Sequence, residues 1–222
     1  MPYKALIKIN GKRAIEYVIE RVKGLGYPVI LCTTEETDDD TLCLLAMQNN
    51  IRFFRGSTED KLMRWYKCAD HHDVDFFVSA DGDDILVSTE LIKLAMETDL
   101  DFIEAHSAPC GAFSTGIKTS ALKKVCHAKK TNDTEMVSDY FKTLCNSGEI
   151  DVPEKYKRPY RMTLDYKEDL LFFQNVISNI PEPYTLDDII EYLDTHPEVI
   201  AINNDCQQMY LDNQKAKTKL VI

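Results

Sequence analysis

Asp75-Phe76-Phe77-Val78-Ser79-Ala80-Asp81-Gly82-Asp83-Asp84-Ile85 is the stretch on which the fold turns. Its first half is a short run of aromatic and β-branched side chains, the composition of a buried strand. Its second half sets three carboxylates directly behind that strand. In open α/β sheets ligands bind beyond the carboxyl ends of the strands, so the run marks both a strand and the place to seek a site. On an extended backbone Asp81 and Asp83 project to one side and Asp84 to the other, and Gly82 leaves room for a phosphate to approach. Carboxylates in this position suit Mg²⁺, which takes one or two of them together with phosphates and water. Asp and Gly are also ordinary turn residues, so a solvated acidic turn stands beside the metal reading.

Toward the N-terminus, strand-like runs at 29–32 and 51–54 alternate with helical stripes. Ile15, Val18, Ile19 and Val22 repeat at helical spacing and stop near Gly24 and Gly26. An acidic helix start at 37–40 leads to Leu42, Leu45 and Ala46. Ser57 and Asp60 read as a variant capping box ahead of Leu62, Trp65, Tyr66 and Ala69. Toward the C-terminus, Ser88-Thr89-Glu90 opens a helix and 101–105 reads as a strand. Helices are expected at 120–126, 135–145, 169–178, 186–194 and 205–215. This alternation predicts an α/β fold, a three-layer α/β/α sandwich around a mostly parallel mixed sheet. The second half is expected to add antiparallel strands and a helical closure at about 185–222. No linker or repeat interrupts residues 1–222, which are read as one domain; pattern alone makes 5–9 its first strand.

A second acidic segment, Arg161-Met162-Thr163-Leu164-Asp165-Tyr166-Lys167-Glu168-Asp169-Leu170, ends a short strand and starts a helix. Helix capping is the simpler reading of Asp165; paired with Asp83 it becomes a second metal ligand. The first 24 residues carry Lys4, Lys8, Lys12, Arg13, Arg21 and Lys23 against Glu16 and Glu20, a local excess of four positive charges. Lys4 and Lys12 precede the first clear helix, where cations meet a triphosphate. Arg55 and Arg64 are further candidates for phosphate or base contacts, and surface solubilisation explains Arg21 and Lys23 equally well.

The whole chain of 222 residues has 37 acidic and 26 basic side chains, a net charge of −11. That argues against nonspecific nucleic-acid binding, which needs a basic surface. No apolar run approaches the ~20 residues of a membrane span, and the first residues lack the long apolar stretch expected of a secretory signal. Seven cysteines without a CxxC fit free thiols in a reducing cytoplasm. Cys110 has no oriented His partner, the histidines lack metal-ligand spacing, and the nucleophile-elbow, P-loop and dinucleotide fingerprints are absent.

Together these segments resemble the cytidylyltransferase family that activates acidic sugars, which includes the CMP-Kdo and CMP-sialate synthetases, and within it the spore-coat-polysaccharide branch. Ile9-Asn10-Gly11-Lys12 running into Ala14-Ile15-Glu16-Tyr17-Val18-Ile19-Glu20-Arg21 is similar to the branch's "gkPlieyvieR". Phe54-Arg55-Gly56-Ser57-Thr58-Glu59-Asp60-Lys61-Leu62-Met63-Arg64-Trp65-Tyr66 is similar to "RGSxxDvLxRyy". Gly82-Asp83 falls at the metal-binding Gly-Asp, and Thr163-Leu164-Asp165-Tyr166-Lys167-Glu168-Asp169-Leu170 at "TvDtpeDl". Leu186-Asp187-Asp188-Ile189 and Ala201-Ile202-Asn203 follow the branch's tail. The resemblance implies a nucleotide-diphospho-sugar transferase-like fold and transfer of CMP from CTP to an acidic sugar or related small acceptor. It implies Mg²⁺ held by Asp83 and Asp165, Lys4 as a catalytic cation, and Lys12, Arg55, Arg64, Asp81 and Gly82 as substrate contacts. A homodimer is a further expectation.

The family opens with a strand and a "QARxxSxRxPgK" loop that grips the nucleotide, and this sequence matches only from the final lysine, Lys4. The resemblance therefore implies that the usual first strand is lacking, which would expose sheet edges. Three readings follow: a start upstream of Met1, a nucleotide-binding relative with weakened catalysis, or a different gripping loop. Arg13 and Ile85 also replace usual prolines. A glycosyltransferase of the related nucleotide-sugar fold is the alternative enzyme, because Asp81-Gly82-Asp83 also fits a DxD metal motif.

Overall fold

Asn10 and Gly11 decide how the chain begins. Both have positive φ, 50° and 89°, the backbone of a two-residue hairpin turn that Asn-Gly favours. They fold Lys8–Ile9 (β1) back on Lys12–Arg13 (β2), with Lys8 opposite Arg13. The strand expected at 5–9 is not formed as such: Lys4–Leu6 makes a single 3₁₀ turn, and only Lys8–Ile9 pairs as a strand. The computed structural model describes residues 3–132, 134 and 137–217.

After β2 come α1 (Ala14–Lys23), β3 (Ile30–Thr34), α2 (Asp40–Gln48) and β4 (Arg52–Gly56). β3 and β4 pair in parallel across α2, a right-handed βαβ unit by the general rule of such crossovers. Next are α3 (Lys61–His71), β5 (Phe76–Ser79), α4 (Thr89–Met96), β6 (Phe102–Glu104), β7 (Thr115–Lys118), α5 (Thr119–Ala128), α6 (Val137–Leu144) and β8 (Ser147–Glu149). The start of the helix expected at 135–145 lies outside the described residues. α7 (Lys167–Asn179), α8 (Leu186–Thr195), α9 (Pro197–Ile200) and α10 (Cys206–Lys217) form the helical C-terminal part, whose last expected residues, 218–222, also lie outside them. The α3 cap differs from its sequence reading. Asp60 itself is the N-cap and accepts from the Met63 amide at 2.9 Å, while Ser57 accepts from the Asp60 amide at 3.1 Å.

The larger sheet has the order β5-β7-β6-β8. β7 runs antiparallel to both neighbours, and β6 and β8 run parallel. Period-two alternation sends Phe102 and Ile117 to one face, against Leu62, Leu122 and Phe141, and Ile103 to the other, among Leu91, Met162 and Phe172. Helices thus cover both faces, the three layers expected. A third cluster joins Ile15, Val18 and Ile19 of α1 to Leu45, Val87 and Ile92.

Among the described residues no strand joins β3–β4 to the four-stranded sheet. A cleft of about 1570 Å³ runs between β3 and β5, walled by Ile15, Val18, Leu31, Trp65, Phe77 and Val78. All four residues of β5 are only half-buried, where a central strand covered on both faces would be fully enclosed. Among the described residues the sheet is therefore interrupted between β3 and β5.

Candidate active site

The carboxyl end of β5 passes into a tight turn, with the Asp84 amide donating to the Asp81 carbonyl at 3.0 Å and the Val87 amide to that of Asp84 at 3.0 Å. This turn separates the three acids. Asp84 is buried and accepts from the Ser114 hydroxyl at 3.0 Å. Burial, reinforced by the charges of Asp83 and Asp81, pushes its carboxyl well above the usual range. Its role is structural. Asp81 turns outward to Lys61 at 3.0 Å. Asp83 faces the segment 161–165, which is tied to the turn by the Leu164 amide donating to the Asp83 carbonyl at 3.1 Å.

That segment is held in place by the 110 loop. Gly111 has φ 86°, and a Cβ there would lie 2.3 Å from the Met162 carbonyl oxygen, so only glycine permits the approach. The Met162 amide donates to Cys110 at 2.6 Å and the Cys110 amide to Tyr160 at 2.8 Å. Asp165 follows, and it does not cap α7. Asp169 does so, accepting from the Asp165 amide at 2.8 Å and the Tyr166 amide at 2.9 Å. The carboxylate of Asp165 is therefore available to the site. Behind it Arg161, nearly enclosed, forks onto Asp169 at 2.9 and 3.1 Å and reaches Asp165 Oδ2 at 2.7 Å. Asn203 donates to Asp169 at 2.9 Å, and the Arg161 guanidinium lies between the Tyr166 and Tyr210 rings.

Lys4 brings the two distant acids together. Its ammonium bonds Asp83 Oδ2 and, at 2.7 Å, Asp165 Oδ1. Burial lifts the Asp83 carboxyl, with Lys4 only partly opposing it. Burial acts the same way on Asp165, but the hydrogen bond and charge of Lys4, joined by Arg161, prevail and hold it below the usual value. Lys4 is itself held firmly protonated: burial disfavours the charge, and the two carboxylates outweigh it. The site thus offers two converging carboxylates around a point that already accommodates a cation. Among the described residues no group of three or more His, Cys, Asp or Glu side chains gathers to hold a metal. A pair of hard oxygen donors beside open cleft fits Mg²⁺, which fills its other positions with phosphate and water.

Other sequence candidates lie differently. Lys12 bonds Glu20 at 2.6 Å and sits over the Tyr17 ring, outside the cleft. Arg55 is consumed by Asp40 at 2.6 Å and by the carbonyls of Thr34 and Glu36. In this structure each charge is paired with a neighbouring carboxylate. Arg64 lines the cleft and donates to the Ser57 carbonyl at 2.5 Å, while its buried Nε has no partner among the described residues. Gly82 lines the cleft, and a Cβ there would meet Ile15 at 3.2 Å and Ala5 at 3.5 Å. Burial raises the Cys110 thiol to about 11, which leaves it inert as a nucleophile. Arg161, Lys61 and Asn203 were not foreseen. The i, i+4, i+8 spacing of Arg161, Asp165 and Asp169 was visible, but nothing local showed that Arg161 would be enclosed.

Layered helices around a mixed sheet, with acids and a lysine gathered beyond a strand's carboxyl end, define a protein of the nucleotidyltransferase-like fold. A cytidylyltransferase from Leptospira borgpetersenii serovar Hardjo-bovis superposes with TM-score 0.79 at 22% identity, covering 90% of each chain. The 4-diphosphocytidyl-2C-methyl-D-erythritol synthase of Anaerococcus prevotii gives 0.57 at 12%, covering 79% of this chain and 93% of its own. Residues 1–216 match the sequence profile of the cytidylyltransferase family, and the chain belongs to that family. An uncharacterized protein of Methanocaldococcus jannaschii is 27% identical over 92% of this chain and 89% of its own length. The spore coat polysaccharide biosynthesis protein SpsF of Bacillus subtilis is 24% identical over 76% and 77%. Membership in the family supports nucleotidyl transfer from a CTP-type nucleotide. No helix among the described residues is long and apolar enough to cross a membrane.

Proposed function

We propose that this protein transfers CMP from CTP to an acidic sugar or a related small acceptor and releases pyrophosphate. The observation that supports it most is the meeting of Asp83 and Asp165, from the two halves of the chain, at one ammonium beside the cleft. An acceptor hydroxyl oxygen attacks the α-phosphorus and gives up its proton to solvent, the bond from that phosphorus to the bridging oxygen breaks, and pyrophosphate leaves with the electron pair. Asp83 and Asp165 would hold Mg²⁺, which when bound neutralises phosphate charge. Lys4 turns from the carboxylates to the phosphate oxygens and stabilises the departing negative charge. Arg161 donates to Asp165 Oδ2 and so fixes which of its oxygens faces the cleft. Lys61, on the cleft wall beside Asp81, adds a cation where a negatively charged acceptor approaches. The name borne by the Bacillus subtilis relative supports a role in polysaccharide biosynthesis. A DxD glycosyltransferase is less well supported, because Asp81 and Asp83 bond different lysines instead of converging.

The test is pyrophosphate formation from CTP and Mg²⁺ with a panel of acidic sugars. Turnover is expected with at least one of them, and Asp83→Ala should slow it by about 100-fold or more. Sugar transfer from a nucleotide sugar without pyrophosphate, or nucleotide binding with no product across the panel, would overturn the assignment.

A further inference from the structure

We propose that Lys4 is the resident cation of the Asp83–Asp165 pair, and that a divalent ion enters only together with a polyphosphate that draws Lys4 away. This rests on the metal-assisted reading above. The oxygens facing the shared point are already engaged. Asp165 Oδ1 accepts from Lys4 at 2.7 Å and Oδ2 from Arg161 at 2.7 Å. Asp83 Oδ2 takes the Lys4 ammonium and the Thr163 hydroxyl, the latter at 3.4 Å.

Of the two cations, only one can leave. Arg161 is also forked onto the fully enclosed Asp169 and packed between two tyrosine rings. Lys4 sits on one 3₁₀ turn that has no buried residue, and its side chain is 34% exposed. An ion arriving alone meets carboxylates that are already neutralised. To bind, it must expel an ammonium that has no new anion to receive it, which leaves a half-buried charge unpaired. A triphosphate removes that penalty, since its oxygens accept from Lys4 while others coordinate the ion. Metal and nucleotide then strengthen each other's binding by the same factor, as linkage demands. Lysine suits such an exchange: it is a single compact charge on a flexible stem, where arginine would grip both acids at once.

Mn²⁺, standing in for Mg²⁺, can be titrated by electron paramagnetic resonance with and without CTP, subtracting nucleotide-bound metal measured without protein. Without nucleotide, Lys4→Met is expected to bind Mn²⁺ about tenfold or more tightly than the unaltered protein. CTP should tighten Mn²⁺ binding far more in the unaltered protein than in Lys4→Met. Lys4→Arg, which keeps a cation in place, should exclude Mn²⁺ as the native residue does, a result that loosening of the turn could not produce. Equal Mn²⁺ affinity of Lys4→Met and the unaltered protein without CTP overturns the exchange, as does a Lys4→Arg variant that behaves like Lys4→Met. Asp83→Asn separates the two levels. If it binds Mn²⁺ with CTP as well as the native chain does, the ion lies elsewhere and the metal reading itself falls.

Discussion

Arg161 shows how one side chain determines what a neighbour can do. It compensates Asp169, which is 0% exposed, and leaves Asp165 with one oxygen for the cleft. Arg161→Ala should therefore cost about 3–5 kcal/mol, the usual result of stranding a buried charge. Arg161→Lys should not recover most of it, since an ammonium cannot fork. Urea midpoints of the three proteins test this. The acids of the site should also titrate with opposite effects on stability. Asp165 has a depressed folded pKa, so its stabilisation is present at neutral pH and is lost as pH falls below the unfolded value of about 4. Asp84 is raised, so the folded state gains from its proton at low pH and loses that gain as pH rises through the folded value. Denaturation across pH should thus show Asp165→Asn with a flatter acid limb than the native protein. Asp84→Asn should be more stable than the native protein at pH 7, by a few degrees in midpoint.

At the scale of elements, α3 is held at its N-terminus by one residue serving two purposes. Asp60 caps the helix through the Met63 amide and pairs with Lys129, whose side chain is 4% exposed. Cap loss alone costs about 1 kcal/mol, and leaving the buried Lys129 without its carboxylate, though still bonded to the Thr131 carbonyl, adds about 3 kcal/mol. Asp60→Ala should accordingly destabilise the protein by about 4 kcal/mol. Asp60→Ala combined with Lys129→Met should recover most of the second part. A double-mutant cycle in urea measures both. The same region shows why Ser57 was read as the cap. Spacing alone cannot tell an N-cap from a residue in the preceding turn, and here Ser57 holds the Asp60 amide while Asp60 starts the helix.

For the whole molecule, the interruption of the sheet matters most. β5 is bonded on one side to β7, and β3 on one side to β4; their other edges border the cleft. Edge amides open to solvent exchange faster than those in a closed ladder. Amide hydrogen exchange should show the cleft-side amides of β3 and β5 exchanging about tenfold or more faster than those of β6 and β7. Equal protection across these four strands would contradict the open edges.

Much of this was legible along the chain. Alternating strand runs and helical stripes specify the layered α/β fold, because burial of one face imposes its period on the residues. The acids behind β5 were visible because strand ends in such sheets carry sites. Short motifs at several points along the chain together marked the family. What the sequence left undecided was which charges meet. Whether Asp165 caps a helix or faces Asp83, whether Lys12 or Lys4 reaches the acids, and whether Arg161 is exposed or enclosed all depend on residues distant along the chain. Only the folded chain brings them within bonding distance, and over a few ångströms of low-dielectric space that proximity sets their charge and their chemistry.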